Sequence, residues 1–229
     1  MSDTPERTPL GERLEAVRSG VADAAARAGR NHTDITTIVV TKFHPAQLVR
    51  DLWALGVRDF GENRHQDAAP KAQALADLDL SWHFVGQLQS KKARSVLAYS
   101  RVIHSVDRDS VVAALAAAAV PVDVFLQVNL TDDPGRGGVQ PHELEALASR
   151  VLAEESLTLR GLMAVAPLGQ EPRRAFARVR EYSLGVQSIA PLATALSMGM
   201  SGDYAAAIAE GATHLRIGTA ITGNRPETS

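Results

Sequence analysis

Eight short runs of strand character, the first of them (35–41) dominated by β-branched residues, alternate along this chain with segments of helical periodicity. That alternation constrains the fold more than any other property of the sequence. The runs span residues 35–41, 58–60, 82–85, 101–104, 122–128, 159–164, 195–197 and 214–217. Helical segments lie between them at 45–55, 64–76, 90–98, 107–119, 141–154, 172–186 and 203–210. Gly56 and Gly211 serve as stops, Gly61 ends the second strand, and Asp107 is the expected cap of the alanine-rich helix. Strands separated by helices pair in parallel, because a long crossover returns the chain to the same end of the sheet. Eight such units close into a (β/α)8 TIM barrel.

One further helix precedes the first strand. Thr8 is its expected N-cap, Pro9 suits its first turn and Gly29 can end it. Leu10, Leu14, Val17, Val21, Ala25 and Ala28 fall on one face, which is expected to pack on the barrel. A barrel of this type takes about 250 residues. The 229 residues are therefore expected to form one domain, 1–229, with a polar, frayed tail at 224–229.

Charge and composition exclude several classes of partner. With 24 basic and 26 acidic residues the chain has no basic field for nucleic acid or an anionic membrane surface. There is no cysteine, which removes disulfides, thiolate catalysis and thiolate-bound zinc. The seven histidines show no metal-binding spacing, and neither a Walker motif nor a dinucleotide fingerprint occurs. Residues 1–7 are polar, without the apolar stretch of a signal peptide, and the longest apolar run, 111–120, is too short to span a bilayer. A cytoplasmic monomer is expected.

Barrels of this kind place their sites at the C-terminal ends of the strands. The polar residues there are Lys42, Asn63, Gln87, Gln89, Ser105, Asn129, Ser201, Arg216 and Thr219. Lys42 directly follows an Ile-Val-Val-Thr strand. Either it snorkels into solvent, or it is drawn out of water with a depressed pKa that frees the amine for attack on an aldehyde. Residues 196–203, Leu-Ser-Met-Gly-Met-Ser-Gly-Asp, lie between strand seven and a short helix, with Ser201 as the expected cap. Arg216-Ile-Gly-Thr219 ends strand eight. Loops after strands seven and eight commonly cradle phosphate, and Gly218 allows a ligand close to the backbone. Ordinary capping and turn chemistry is the alternative for both segments. Loop 134–138 reads as a mobile flap or as a plain connection, and His83 and His104 as hydrogen-bonded core or rim groups. Glu62 and Asp107 are candidate bases or caps.

Taken together, these segments resemble the pyridoxal phosphate homeostasis protein (PROSC/YggS) family. The resemblance runs from Thr8 to Arg225. It is carried by Val40-Thr-Lys42, Phe60-Gly-Glu-Asn63, Trp82-His-Phe-Val-Gly-Gln-Leu-Gln-Ser90, His104-Ser-Val-Asp107, Gly161-Leu-Met163, Leu196-Ser-Met-Gly-Met-Ser201 and Arg216-Ile-Gly-Thr219. It implies an alanine-racemase-like barrel that holds pyridoxal 5'-phosphate (PLP) as a Schiff base on Lys42. Ser201, Gly218 and Thr219 would hold the phosphate, with Ser197 and Met198 lining the same loop, Asn63 close to the ring and Arg216 facing the pyridine nitrogen. The family commonly has Ser before the lysine and Thr-Lys-Pro after it; here Thr41 and Phe43-His44-Pro45 stand in those places. Ile-Thr-Gly-Asn-Arg225 replaces a more usual Ile-Phe-Gly.

The resemblance also bears on catalysis. Carbanion chemistry on PLP needs a protonated pyridine and a positioned base. A permanently cationic Arg216 disfavours that protonation. Alanine racemases supply a tyrosine base from a second, β-rich domain, which is not expected after the eighth strand here. Tyr99, Tyr182 and Tyr204 are the only tyrosines, and Tyr204 alone falls near the phosphate loop. The favoured expectation is PLP binding, homeostasis and delivery to apo-enzymes, with related B6 vitamers as further ligands. A racemase-like enzyme is the alternative, and a class I aldolase-like lysine is a third.

Overall fold

The structure is a computed structural model that describes residues 8–224; the expected tail lies, from residue 225 on, outside them. Its elements run α1 (Pro9–Arg27), β1 (Thr36–Val40), α2 (Ala46–Ala54), β2 (Asp59–Glu62), α3 (His65–Ala74), β3 (Ser81–Phe84), α4 (Ala93–Val96), β4 (Val102–Val106) and α5 (Asp109–Ala116). There follow β5 (Val122–Gln127), α6 (Leu144–Leu152), β6 (Leu157–Met163), α7 (Pro172–Gln187), β7 (Ala195–Ser197), α8 (Tyr204–Ala209), β8 (His214–Ile217) and α9 (Thr219–Thr222). All eight strands pair in parallel in sequence order, and β8 closes on β1 with Ile38 opposite Arg216. The expected α/β barrel is thus the observed one.

Strand alternation sorts the side chains into two layers. Phe60, Trp82 and Phe84 face outward into the apolar layer beneath the helices. Asp59, His83, His104, Ser197 and Arg216 face inward and hydrogen-bond one another. Helix α1 starts where expected, with Thr8 Oγ1 accepting from the Gly11 amide, and buries Leu14, Val17, Val21, Ala24 and Ala25. Burying a Val or Leu side chain fully contributes roughly 1.5–3 kcal/mol, so this stripe is ample to dock the helix.

Two local expectations are corrected. Gly61 does not end β2. The strand runs through it to Glu62, and the missing Cβ makes room for Ile38 and Val40, whose methyls would stand 3.1 Å from it. Asp107 does not cap α5. Arg108 occupies the cap position without a side-chain bond, while the Asp107 carboxylate pairs with Arg108 Nη1 at 2.5 Å and accepts from the Gly138 amide at 3.3 Å. A charged donor beside it and the amide of a neighbouring loop outcompete the helix start for this acceptor. Among the described residues no helix is long and apolar enough to cross a membrane, and no three His, Asp or Glu side chains are grouped to hold a metal.

Candidate functional site

The C-terminal rim is built upward from β1. Thr41, fully buried, is pinned through its amide, its hydroxyl and its carbonyl. Its amide donates to Gly61 O (3.1 Å), its hydroxyl donates to Glu62 Oε1 (2.8 Å), and its carbonyl accepts from Lys71 Nζ (2.8 Å). Lys71 Nζ also pairs with Glu62 Oε1 at 2.5 Å. Burial pushes the Glu62 carboxyl up from its usual range, and Lys71 partly offsets that shift. The next three residues form a turn in which Phe43 takes a left-handed φ of 68° and the His44 amide returns to Thr41 O at 3.1 Å. The backbone is therefore held tightly on both sides of Lys42.

The side chain of Lys42 is exposed, with its amine 5.9 Å from the Phe43 ring centroid. This corrects the expectation of a lysine drawn out of water. β1 ends at Val40, Thr41 is the last packed residue, and the turn carries the lysine stem beyond the barrel wall. Lys71, in contrast, is buried and committed as a donor to a carboxylate and a carbonyl. Lys42 is thus the available amine at this end of β1.

Asn63 follows β2, half-buried, on the neighbouring strand. Its backbone nests against Gly86, where an added Cβ would lie 2.0 Å from Asn63 O. Only glycine at 86 lets the loops after β2 and β3 approach so closely.

The loops after β7 and β8 are joined by Ser201. It was expected to cap α8, but the cap position is Asp203, whose Oδ1 accepts from the Met200 amide at 2.6 Å and closes the turn. Ser201 Oγ instead accepts from the Ala220 amide of α9 at 3.2 Å and lies 3.5 Å from Thr219 Oγ1. The turn closed by Asp203 leaves Ser201 free to reach across to the next loop. Among the described residues the amides of Ser201, Gly202, Gly218 and Thr219 make no hydrogen bond within the protein. Gly218 sits beside β1, where a Cβ would be 3.7 Å from Val40 O. The two loops and the Lys42 turn therefore share one sector of the rim.

Arg216 is buried below them. Its Nη1 donates to Ser197 O (2.6 Å) and Ser197 Oγ (2.8 Å), and its Nη2 donates to Ala164 O (2.9 Å). Burial pushes its pKa down to about 10, so it stays cationic at neutral pH. Ser197 and Met198 are both fully buried, in the barrel wall rather than on the exposed part of the loop. The structure thus groups Ser201, Gly218 and Thr219 with the Lys42 turn, pairs Ser197 with Arg216, and sets Asn63 on the strand next to Lys42.

His83 and His104 are hydrogen-bonded core groups, as expected; what sequence reasoning missed is that their partners Asp59, Ser197 and Arg216 join them in one polar series below the rim. His104 is wholly buried and stacked on Phe125 (centroids 4.4 Å apart), and burial among His83, Arg216 and His214 holds its pKa well below the ordinary imidazole range. The signal was present as polar residues on alternate positions of several strands: Asp59, then Ser81 and His83, then His214 and Arg216. The Thr41–Glu62–Lys71 cluster was equally unmarked, since Lys71 lies mid-helix in α3.

Comparison with known proteins identifies the fold and the family. The family model for the alanine racemase N-terminal domain matches residues 13–226. A pyridoxal phosphate homeostasis protein of Pseudomonas aeruginosa is 43% identical over 227 residues, covering 94% of this chain and 96% of that one. Its counterpart in Corynebacterium glutamicum is 38% identical over 208 residues, covering 86% and 93%. PipY of Synechococcus elongatus, solved with PLP bound, superposes with a TM-score of 0.82 at 37% identity, covering 93% of this chain and all of that one. On this rim geometry and these matches, the chain belongs to the pyridoxal phosphate homeostasis protein family, built on the alanine racemase N-terminal domain.

Proposed function

We propose that this protein binds PLP at the C-terminal rim of its barrel, holds it as a Schiff base on Lys42, and serves cytoplasmic PLP homeostasis by releasing it to apo-enzymes. The observation that carries the reading is the exposed Lys42 amine, which shares a rim sector with the Ser201, Gly202, Gly218 and Thr219 amides, unpaired among the described residues. Unpaired amides with two hydroxyls suit a phosphate dianion, and an accessible amine suits an aldehyde. PipY, 37% identical, has been solved both with PLP and without it.

In this reading Ser201, Gly218 and Thr219 hold the phosphate, and Ser197 and Met198 support the loop from within the wall. Asn63 borders the ring, and Arg216 faces the pyridine nitrogen. Bound PLP supplies an aldehyde and an electron-accepting ring. Arg216 limits the second property, because a cation beside the nitrogen opposes its protonation. Lys42 exposure favours exchange over retention. The described tyrosines give little support for a base: the Tyr99 hydroxyl is buried, Tyr182 lies in α7, and the Tyr204 hydroxyl packs against Gly20 of α1. We further place the chain as a single-domain monomer that also takes related B6 vitamers.

The test is reduction with borohydride after loading with PLP, followed by peptide mapping. A pyridoxyl group on Lys42, absent in Lys42→Ala, supports the proposal; one on Lys71, Lys91 or Lys92 overturns it. Rapid exchange of an amino acid α-proton for deuterium would favour the racemase-like alternative. Trapping only in the presence of a carbonyl substrate, on a protein that does not take up PLP, would favour the aldolase-like one.

A further inference from the structure

Four hydrogen bonds run in series through the barrel interior. Arg216 Nη1 lies 2.8 Å from Ser197 Oγ, Ser197 Oγ lies 2.8 Å from His104 Nδ1, His104 Nε2 lies 3.0 Å from His83 Nδ1, and His83 Nε2 lies 3.0 Å from Asp59 Oδ1. Ser81 Oγ, at 3.4 Å, is a weaker second partner of His83 Nε2. Arg216 sits near the C-terminal end of β8. Asp59 is the first residue of β2, at the end of its strand remote from the rim. It borders the groove between α1 and the barrel, together with Val17, Val21, His32 and Arg58. His83, His104, Ser197 and Arg216 are at least 95% buried, and the Asp59 side chain is 34% exposed.

The two ends of this series have fixed and opposite polarity. A guanidinium only donates and a carboxylate only accepts. Facing Asp59, His83 must carry its proton on Nε2. If it is neutral, its Nδ1 is bare and must accept, so His104 also carries its proton on Nε2. His104 Nδ1 then accepts, and the Ser197 hydroxyl donates to it while receiving Arg216. Every donor and acceptor in the series is then used once, with none left over. The opposite arrangement leaves the Ser197 hydroxyl hydrogen without an acceptor, because both neighbours of its oxygen would be donors; a buried donor left unmatched forfeits its hydration with nothing in return.

We propose that these residues form a one-way hydrogen-bond relay from Arg216 to Asp59, which fixes the guanidinium beneath the rim and makes Asp59 a remote positioning residue for it. His83 and His104 transmit that constraint as neutral Nε2–H tautomers. The relay itself is independent of any ligand; its consequence for cofactor binding rests on the proposed PLP site. Linked polar networks of this kind shift binding by about 0.5–2 kcal/mol when cut, or roughly 2- to 30-fold in affinity.

The first test is 15N NMR of the imidazole rings in the cofactor-free protein at neutral pH. Both rings neutral with bare Nδ1 is the expected result; an Nδ1–H tautomer or an imidazolium at either His83 or His104 overturns the relay. The second is Asp59→Ala, which touches nothing at the rim. The dissociation constant for PLP is expected to rise roughly 2- to 30-fold while borohydride still places the pyridoxyl group on Lys42. Asp59→Asn, which keeps an acceptor oxygen, is expected to restore wild-type affinity. An affinity unchanged in a folded Asp59→Ala overturns the positioning role. Failure of the wild-type protein to take up PLP would instead overturn the proposed function, and the ring tautomers would still decide the relay.

Discussion

At the scale of single residues, Lys42 and Lys71 show how differently two lysines near one strand end behave. Lys42 is exposed, with its amine 5.9 Å from the Phe43 ring centroid, so Lys42→Ala should change stability by no more than about 0.5 kcal/mol. It should nevertheless abolish the visible absorbance of PLP-loaded protein; a chemical denaturation curve and one spectrum decide both. Lys71 is the reverse. Its amine neutralises the buried Glu62 carboxylate and holds the Thr41 carbonyl, and Glu62 Oε2 already lacks a hydrogen-bond partner among the described residues. Lys71→Met leaves that carboxylate without its charge partner, with the Thr41 hydroxyl as its remaining donor, and should cost about 3–5 kcal/mol in urea unfolding. The double variant Glu62→Gln/Lys71→Met removes both charges and should recover part of the loss. If the double variant is no more stable than the single one, the pair is not the reason Lys71 is buried.

At the scale of elements, the site depends on how closely loops can approach. Gly86→Ala would set a Cβ 2.0 Å from Asn63 O, so the loops after β2 and β3 must part. Loss of PLP affinity with the barrel still folded, by far-ultraviolet circular dichroism, is the expected outcome. Gly202→Ala meets no atom within 4 Å and should leave the melting temperature unchanged, which makes it the matched control for glycine loss at the rim. Much of this level was legible beforehand. The alternation of short strand-like runs with helical segments marked all eight strands, and Lys42, Ser201 and Gly218 fell at strand ends or in the loops that follow them. What escaped was competition between partners. Asp107 and Ser201 have the chemistry of caps, yet each bonds a neighbouring loop instead, a choice set by which amides the fold brings near. Gly61 has the look of a stop, but what decides its role is the Ile38 and Val40 methyls across the sheet. Lys71 carries no sequence mark at all, because its meaning depends on Glu62, nine residues away and on another element.

At the scale of the whole molecule, the barrel interior departs from the layers of branched aliphatics that usually fill this fold. His83, His104 and His214 cluster there around Phe125, and the cluster ties folding to pH. Burial lowers the His104 pKa strongly and, as the largest cause, lowers that of His214 to about 4. In the unfolded chain both return to about 6.5. Between those values the unfolded state binds protons that the folded state refuses, so stability rises with pH there. The contribution is complete above about pH 6.5 and is lost progressively as pH falls toward 4 and below, with His214 accounting for at most about 3 kcal/mol. Calorimetric melting temperatures between pH 7.5 and 4 should therefore hold steady to about 6.5 and then decline. His214→Gln should flatten the part of the decline that lies above pH 4, whatever it does to stability at neutral pH. A profile that stays flat down to pH 4, or a decline that His214→Gln leaves unaltered, would mean that this ring takes up its proton inside the barrel without penalty.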